Sequence, residues 1–140
     1  MKKKIVKGYL SSRNLYNNSH ASQKIQNLVI RNTCERYGYS YRLGSVEYIM
    51  KDSFLILNSL IDDKLDNFDG IGFYSLFQLP VETKLRDSFI SRLLKKNKFL
   101  IFCNEKLQIN NLNQINEIDT NYKINLMLRE TPAEDFFKNF

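Results

Sequence analysis

Gly70-Ile71-Gly72-Phe73-Tyr74-Ser75-Leu76 is apolar almost throughout, the composition of a strand covered on both faces. Its two glycines weaken strand propensity and imply a neighbour packed close against the backbone. The run is one of four. Short apolar stretches at 5–10, 39–43 and 99–103 resemble it, and each leads through a polar cluster into an amphipathic helical stretch. The clusters are Ser11-Ser12-Arg13, Glu47-Tyr48, Ser75 with Gln78, and Asn104-Glu105. Strands alternating with helices predict an α/β fold with a parallel sheet. Ligands of such sheets sit beyond the carboxyl ends of the strands, where the strand order reverses. Every polar cluster falls at that end.

The rest of the chain follows the same alternation. A strand over 4–10 leads into a polar loop over 11–20, long enough to suggest a functional role. A helix is predicted over 22–37, with Ile25, Leu28, Val29 and Asn32 at helical spacing and Gly38 at its stop. A second strand over 39–43 and a loop over 45–51 precede a helix capped by Asp52 or Ser53. That helix runs to about residue 65 and buries Phe54, Leu57, Leu60 and Ile61. After a turn at 66–69 and the strand over 70–76, Leu79-Pro80 starts a third helix whose stripe is Leu85, Phe89, Ile90, Leu93 and Leu94. A fourth strand covers 98–103, and 107–109 supplies a short fifth. Asn111 caps a last helix carrying Leu112, Ile115 and Ile118, and 122–128 reads equally as helix or edge strand. The expected architecture is a three-layer α/β domain with a four- to five-stranded, mainly parallel sheet in flavodoxin-like winding. Residues 1–120 form the single domain, and 121–140 form an extension packed on it or partly flexible.

Composition narrows the classes. With 140 residues the chain is one domain, and 43% hydrophobic and 26% charged residues are ordinary for a globular protein. No apolar stretch approaches the roughly 20 residues that span a bilayer, so membrane insertion is not expected. The basic start Met1-Lys2-Lys3-Lys4 runs straight into a strand, unlike a secretory signal, and a cytoplasmic location is the expectation. Cys34 and Cys103 have no metal-ligand spacing and read as buried thiols. The five glycines form no dinucleotide or phosphate loop. With a single histidine no metal site is indicated, and no cofactor is implied. The net charge of +6 gathers in Lys2, Lys3, Lys4 and Lys7 and in Lys95, Lys96 and Lys98. These serve an anionic partner or are solvated helix ends and tail.

Candidate site residues follow from position. Ser12, just past the first strand, is a nucleophile only with a base; His20, in the same loop, could reach it, and Ser11 is its neighbour. Arg13 offers a guanidinium for bidentate contact with carboxylate or phosphate, and Gln26 and Arg31 on the first helix are further ligand contacts. Glu47 and Glu105 follow the second and fourth strands, and two converging carboxylates can divide acid and base roles. Tyr74, Ser75 and Gln78 come from the central strand and its exit, the expected floor of the crevice, and Tyr74 reads equally as a packed core aromatic. The catalytic candidates are therefore Ser12, Glu47 and Glu105, and the binding candidates Ser11, Arg13, Gln26, Arg31, Tyr74, Ser75 and Gln78.

Five segments carry a resemblance. Gly8-Tyr9-Leu10-Ser11-Ser12-Arg13, Gln26-Asn27-Leu28-Val29-Ile30-Arg31, Glu47-Tyr48-Ile49-Met50, Asp69-Gly70-Ile71 and Tyr74-Ser75-Leu76-Phe77-Gln78-Leu79-Pro80 resemble the sporadic carbohydrate cluster protein family. Its members are encoded within bacterial surface-polysaccharide clusters and have no established activity. A more distant similarity is to the catalytic domain of serine recombinases (resolvases), which open with a strand ending in Tyr-x-Arg-x-Ser, continue with a helix bearing a glutamine, and later carry Asp-Arg-Leu-Gly-Arg. Here the first segment reads Tyr9-Leu10-Ser11-Ser12-Arg13, with serine and arginine exchanged in order, and the later one reads Phe77-Gln78-Leu79-Pro80-Val81, without either arginine. Those arginines neutralise the scissile phosphate in recombinases.

The resemblances imply a resolvase-like fold and a ranking of functions. An enzyme or accessory factor of surface-polysaccharide biosynthesis comes first, binding a small anionic sugar derivative (a sugar phosphate, nucleotide sugar or acidic sugar) at the strand ends. A non-catalytic scaffold for other polysaccharide-biosynthesis proteins is the alternative, and association with a second copy stays open. A DNA-acting relative of recombinases ranks last, with no specific nucleic-acid partner expected.

Overall fold

The computed structural model describes residues 2–12, 15–16, 20–47, 54–62 and 67–130. Eight elements place the site: β1 (Ile5–Ser11), α1 (Gln23–Tyr37), β2 (Ser40–Glu47), α2 (Leu55–Ile61), β3 (Gly70–Phe73), α3 (Thr83–Lys95), β4 (Phe99–Phe102) and α4 (Ile115–Glu130). A ninth, β5 (Leu107–Ile109), completes a five-stranded sheet of order β2-β1-β3-β4-β5. The first four strands of that order are parallel and β5 is antiparallel to β4. This is flavodoxin-like winding, and its order reverses between β1 and β3.

Pleating divides the core. Val6, Leu10, Ile101 and Cys103 point to one face, where Ile30 and Cys34 of α1 cover them. Tyr9, Ile71, Phe73, Leu100 and Phe102 point to the other, under Leu57 and Ile61 of α2, Phe89, Ile90 and Leu93 of α3, and Ile118 and Tyr122 of α4. Helices therefore lie on both faces, as the expected three layers require. The close approach implied by the glycines of β3 is present. A Cβ on Gly72 would sit 2.7 Å from the Ile30 side chain, and one on Gly70 2.5 Å from the Phe99 ring.

Several boundaries depart from expectation for identifiable reasons. β2 runs on to Glu47 instead of ending at Leu43. Lys7 pairs with Arg42 and Tyr9 with Ser45, so two residues of β2 oppose one of β1 and pairing resumes beyond the bulge. α3 begins at Thr83 rather than at Pro80. Leu79 is extended, at φ −82° and ψ 157°, as a residue before proline is driven to be. A single 3-10 turn, Leu76–Gln78, occupies the space between β3 and α3. The 122–128 ambiguity resolves as helix within α4, where Tyr122 packs on Phe77 with ring centroids 4.7 Å apart. The expected caps at Asp52 and Ser53 lie outside the described residues.

α1 buries a different stripe from the one apolar periodicity picks out, and α3 buries the expected Phe89, Ile90, Leu93 and Leu94 with one exchange. On α1, Ile25 and Leu28 are 50% and 52% exposed, while Gln26, Ile30, Thr33 and Cys34 are buried. On α3, Leu85 is exposed and Arg86 is buried. Arg86 is held from all sides. Its guanidinium donates to Asp119 at 2.9 and 3.1 Å and to the carbonyls of Pro80 and Val81, and it lies 4.1 Å from the Tyr122 ring centroid.

Candidate functional site

Five of the sequence-chosen residues meet beyond the β1–β3 switch point. Gln26, at the start of α1, lies against the last residue of β1. Ser11 N donates to Gln26 Oε1 at 2.9 Å, and Gln26 Nε2 donates to Ser11 O and Ala21 O, both at 2.8 Å. Gln78 enters from the 3-10 turn. Its Nε2 donates to Tyr9 O and Ser11 Oγ at 3.2 Å and to Gln26 Oε1 at 3.3 Å, while its Oε1 accepts from Ser75 N at 3.1 Å. Ser75 Oγ caps the turn by accepting from Phe77 N and donates to Glu105 Oε2 at 2.8 Å. Glu105 Oε1 accepts from Leu76 N at 2.7 Å. A continuous chain of bonds thus joins α1, β1, the 3-10 turn and the β4–β5 hairpin.

The local sequence explains this assembly. Ser22 caps α1 by accepting from Ile25 N, which sets Gln26 one turn in, facing the β1 end. Ser75 and Gln78 form a capping box around the 3-10 turn, which forces the Gln78 amide inward. The hairpin after β4 puts Glu105 opposite the same turn, with Asn104 N donating to Tyr74 O at 2.9 Å.

The network is neutral and sealed except at Glu105, which is partly buried. Gln26 and Ser75 are 0% exposed, and Ser11 and Gln78 1%. Burial pushes the Glu105 carboxyl above the usual carboxylate range, opposed by the Leu76 N–H and the Ser75 hydroxyl. Such an arrangement fixes backbone; its donors are committed to the protein. Neither thiol offers chemistry. Burial, with Cys103 and Glu35 nearby, pushes Cys34 up to about 12, and burial also raises Cys103, so both stay protonated and weakly nucleophilic at neutral pH.

The remaining candidates lie at or outside this lattice. Ser12 is half-buried at the β1 exit, and His20 is exposed. Glu47 ends β2, with its Cα paired to Ser11; it is a strand residue rather than a loop residue. The side chain of Glu47 and all of Arg13 fall outside the described residues. Tyr74 is partly buried between the two cores. Arg31 is not in the network; it is exposed, 5.9 Å from the Tyr41 ring centroid. Among the described residues, no group of three or more His, Cys, Asp or Glu could hold a metal ion.

Sequence reasoning missed the Arg86–Asp119 pair and its neighbour Asp87. Asp87 is raised to about 6 by burial, by a hydrogen bond with Asp119 and by the charge of Asp119, against the pull of Arg86. The signal was there: residues 86, 89, 90 and 93 share a helical face.

Comparison with solved structures gives the fold its relatives. The N-terminal catalytic domain of TP901-1 integrase matches with a TM-score of 0.68 at 18% identity, over 91% of this chain and 98% of that domain. A resolvase family site-specific recombinase from Streptococcus pneumoniae matches with a TM-score of 0.64 at 11% identity, over 91% and 93%. The fold is recombinase-like. No protein-family pattern matches the chain, and no curated protein is significantly similar to it.

These findings correct the functional ranking. On sequence alone, an enzyme or scaffold of polysaccharide biosynthesis with a small anionic sugar derivative came first and a DNA-acting relative last. The structural relatives are recombinase and integrase domains, and none of the comparisons supports a carbohydrate-cluster assignment. The expectation of no nucleic-acid partner falls with it. Physically, the sugar reading rested on polar strand-end groups being open to a ligand, but Ser11, Gln26, Ser75 and Gln78 are buried and bonded to one another. The DNA-acting reading ranked last because Gln78 and Val81 stand where the recombinase segment has its two arginines; that replacement stands, and it is the fold of the structural relatives that corrects the ranking. No described helix is long and apolar enough to cross a membrane.

Proposed function

We propose that this chain is a DNA-acting domain of the recombinase fold that meets a backbone phosphate at the carboxyl end of β1. Ser12 is the hydroxyl at that phosphate, and Arg13 is the adjoining cation. The observation that carries this proposal is the difference between neighbouring hydroxyls. Ser11 and Ser75 are sealed, whereas Ser12 is half-buried at the exit of the strand. Gln26, Gln78, Ser75 and Glu105 hold that exit in place, and Glu47 flanks it through the β2 pairing. Tyr74 packs beneath the floor, and Arg31 takes no part.

Phosphate contact is the extent of the proposal. By the recombinase resemblance, Gln78 and Val81 stand where arginines neutralise the scissile phosphate. A neutral amide already bonded to three acceptors gives little stabilisation to a phosphate gaining charge. The test is duplex binding by fluorescence anisotropy. Ser12→Glu sets a carboxylate against the phosphate and should weaken binding about tenfold or more, the cost of a close like charge. Ser12→Ala should weaken it only several-fold, the worth of one hydrogen bond. Unchanged affinity in Ser12→Glu would remove the β1 exit from the interface. A covalent adduct at Ser12 on supercoiled DNA would raise the protein from a binder to a strand-transfer enzyme.

A further inference from the structure

The opposite end of the sheet has a different character. β1 and β4 flank β3, and Val6, Gly70 and Phe99 stand in register across the three strands. Lys4 and Lys98 therefore precede the starts of the two strands on either side of β3, although 94 positions separate them in the chain. Lys4 Nζ lies 5.8 Å from the Phe99 ring centroid. Lys7 and Lys98 share one ring, at 4.8 and 4.4 Å from the Phe68 centroid. Lys98 also donates to Phe68 O, and Lys96 to Ile61 O. Lys2, Lys3 and Lys95 are exposed around them.

We infer that this lysine-rich end, at the amino termini of β1 and β4, is a second DNA-binding surface that takes the duplex phosphate backbone. Carbonyls and aromatic rings position an ammonium without cancelling its charge. Asp69, which accepts from Ile5 N at 2.7 Å, keeps its negative charge at this end, and Asp62 pairs with Arg92 at 3.0 Å; the exposed Lys2, Lys3, Lys4, Lys95 and Lys96 outnumber Asp69. Service to a helix C-terminus would account for Lys95 and Lys96, but not for Lys2, Lys3, Lys4 and Lys7, which come from no helix. A membrane surface is the competing partner for such charge, and it calls for apolar side chains among the lysines. The exposed aliphatic residues Ile25 and Leu28 at the start of α1 and Val81 and Leu85 around the start of α3 lie at the opposite end of the sheet, and the exposed hydrophobic side chain near the lysines is the aromatic Tyr37, joined through Tyr39 to Phe99.

The choice of duplex DNA as the anion rests on the proposed function, but the surface is separate from the Ser12 exit, so the two fail separately. The test is anisotropy of a labelled duplex against a salt series with the full chain and a Lys2→Gln, Lys3→Gln, Lys95→Gln variant. Each lysine that meets a phosphate contributes roughly 0.9 to the slope of log affinity against log salt. The variant should therefore lose about two to three from that slope and bind more than tenfold more weakly at low salt, while Ser12→Ala keeps the slope. A triple lysine-to-arginine variant should retain the wild-type slope. An unchanged slope in the glutamine variant would overturn the inference. So would binding of the wild type to phosphatidylserine vesicles but not to duplex DNA. These side chains are exposed, so the glutamine variant is expected to fold, and a matching circular dichroism spectrum checks it. Should it not fold, Lys3→Gln alone should still lose about one from the slope, and an unchanged slope there would overturn the inference equally.

Discussion

The two ends of the sheet spend their polar residues in opposite ways. At the carboxyl end, Ser11, Gln26, Ser75 and Gln78 are buried, neutral and bonded to one another. At the amino end, lysines are drawn together while Lys2, Lys3 and Lys95 stay in solvent. Buried polar groups are costly to leave unmatched, whereas exposed charges contribute little to stability and much to long-range attraction. Substitution at the first end should thus be read out in folding, and at the second in binding.

The largest test of that contrast is Gln78→Leu. It strands Ser75 N and removes the donor shared by Tyr9 O, Ser11 Oγ and Gln26 Oε1. A loss of roughly 3 kcal/mol is expected in urea unfolding, at the upper end for an unmatched buried group. A loss below about 1 kcal/mol would mean that the lattice is not what holds the strand ends. Glu105→Gln should cost less, on the order of 1–2 kcal/mol. It keeps one acceptor for Leu76 N or Ser75 Oγ and loses the charge-assisted part.

A third, smaller effect depends on pH and sharpens the comparison from beside the lattice. Asp87 is raised to about 6 in the fold, so the folded chain holds a proton there that the unfolded chain has lost. Its contribution to stability is complete below about pH 4, the ordinary aspartate range, and disappears as pH rises through about 6. Asp87→Asn should flatten the change in urea midpoint between those limits. Parallel curves for both proteins would refute the raised carboxyl. Smallest of all, Lys3→Gln should leave the unfolding midpoint within about 0.5 kcal/mol of wild type. A larger loss would break the contrast from the other side.

Strand positions were readable because an apolar run bounded by polar clusters has few alternatives in an α/β chain. The parallel alternation and the strand-end location of Ser11, Ser75 and Glu105 followed from it, while Glu47, expected in a loop, belongs to β2. The helix faces were less readable. Gln26 and Arg86 occupy core positions that a hydrophobicity pattern assigns to Ile25 and Leu85. Each is tolerated there because backbone carbonyls accept its protons, and sequence shows the donor but not the distant acceptor. The candidate site was legible as a neighbourhood, since Ser11, Gln26, Ser75, Gln78 and Glu105 do converge. Its burial was not. Whether an amide faces a ligand or a strand end depends on an angle of less than one helical turn. The convergence of the lysines was also hidden, because the two groups lie at distant points of the chain and meet only through the parallel order of β1, β3 and β4.

The bulge of β2 carries a consequence for how this fold can change. Before it, Tyr41 faces the α1 layer beside Val6; after it, Val46 does so beside Leu10. The inward residues have moved from odd to even positions, and the unmatched pair Leu43–Gly44 makes the shift. Loss of one residue there would remove the bulge and restore simple alternation, with Val46 still opposite Leu10 on the α1 side. The bulge is thus a one-residue reserve of length: the edge strand can give up a residue at 43–44 while the pairing on either side of it, and every core contact of β1, β3 and β4, stays in place. Length variation at this edge is therefore open to descendants of this chain without refolding of the sheet.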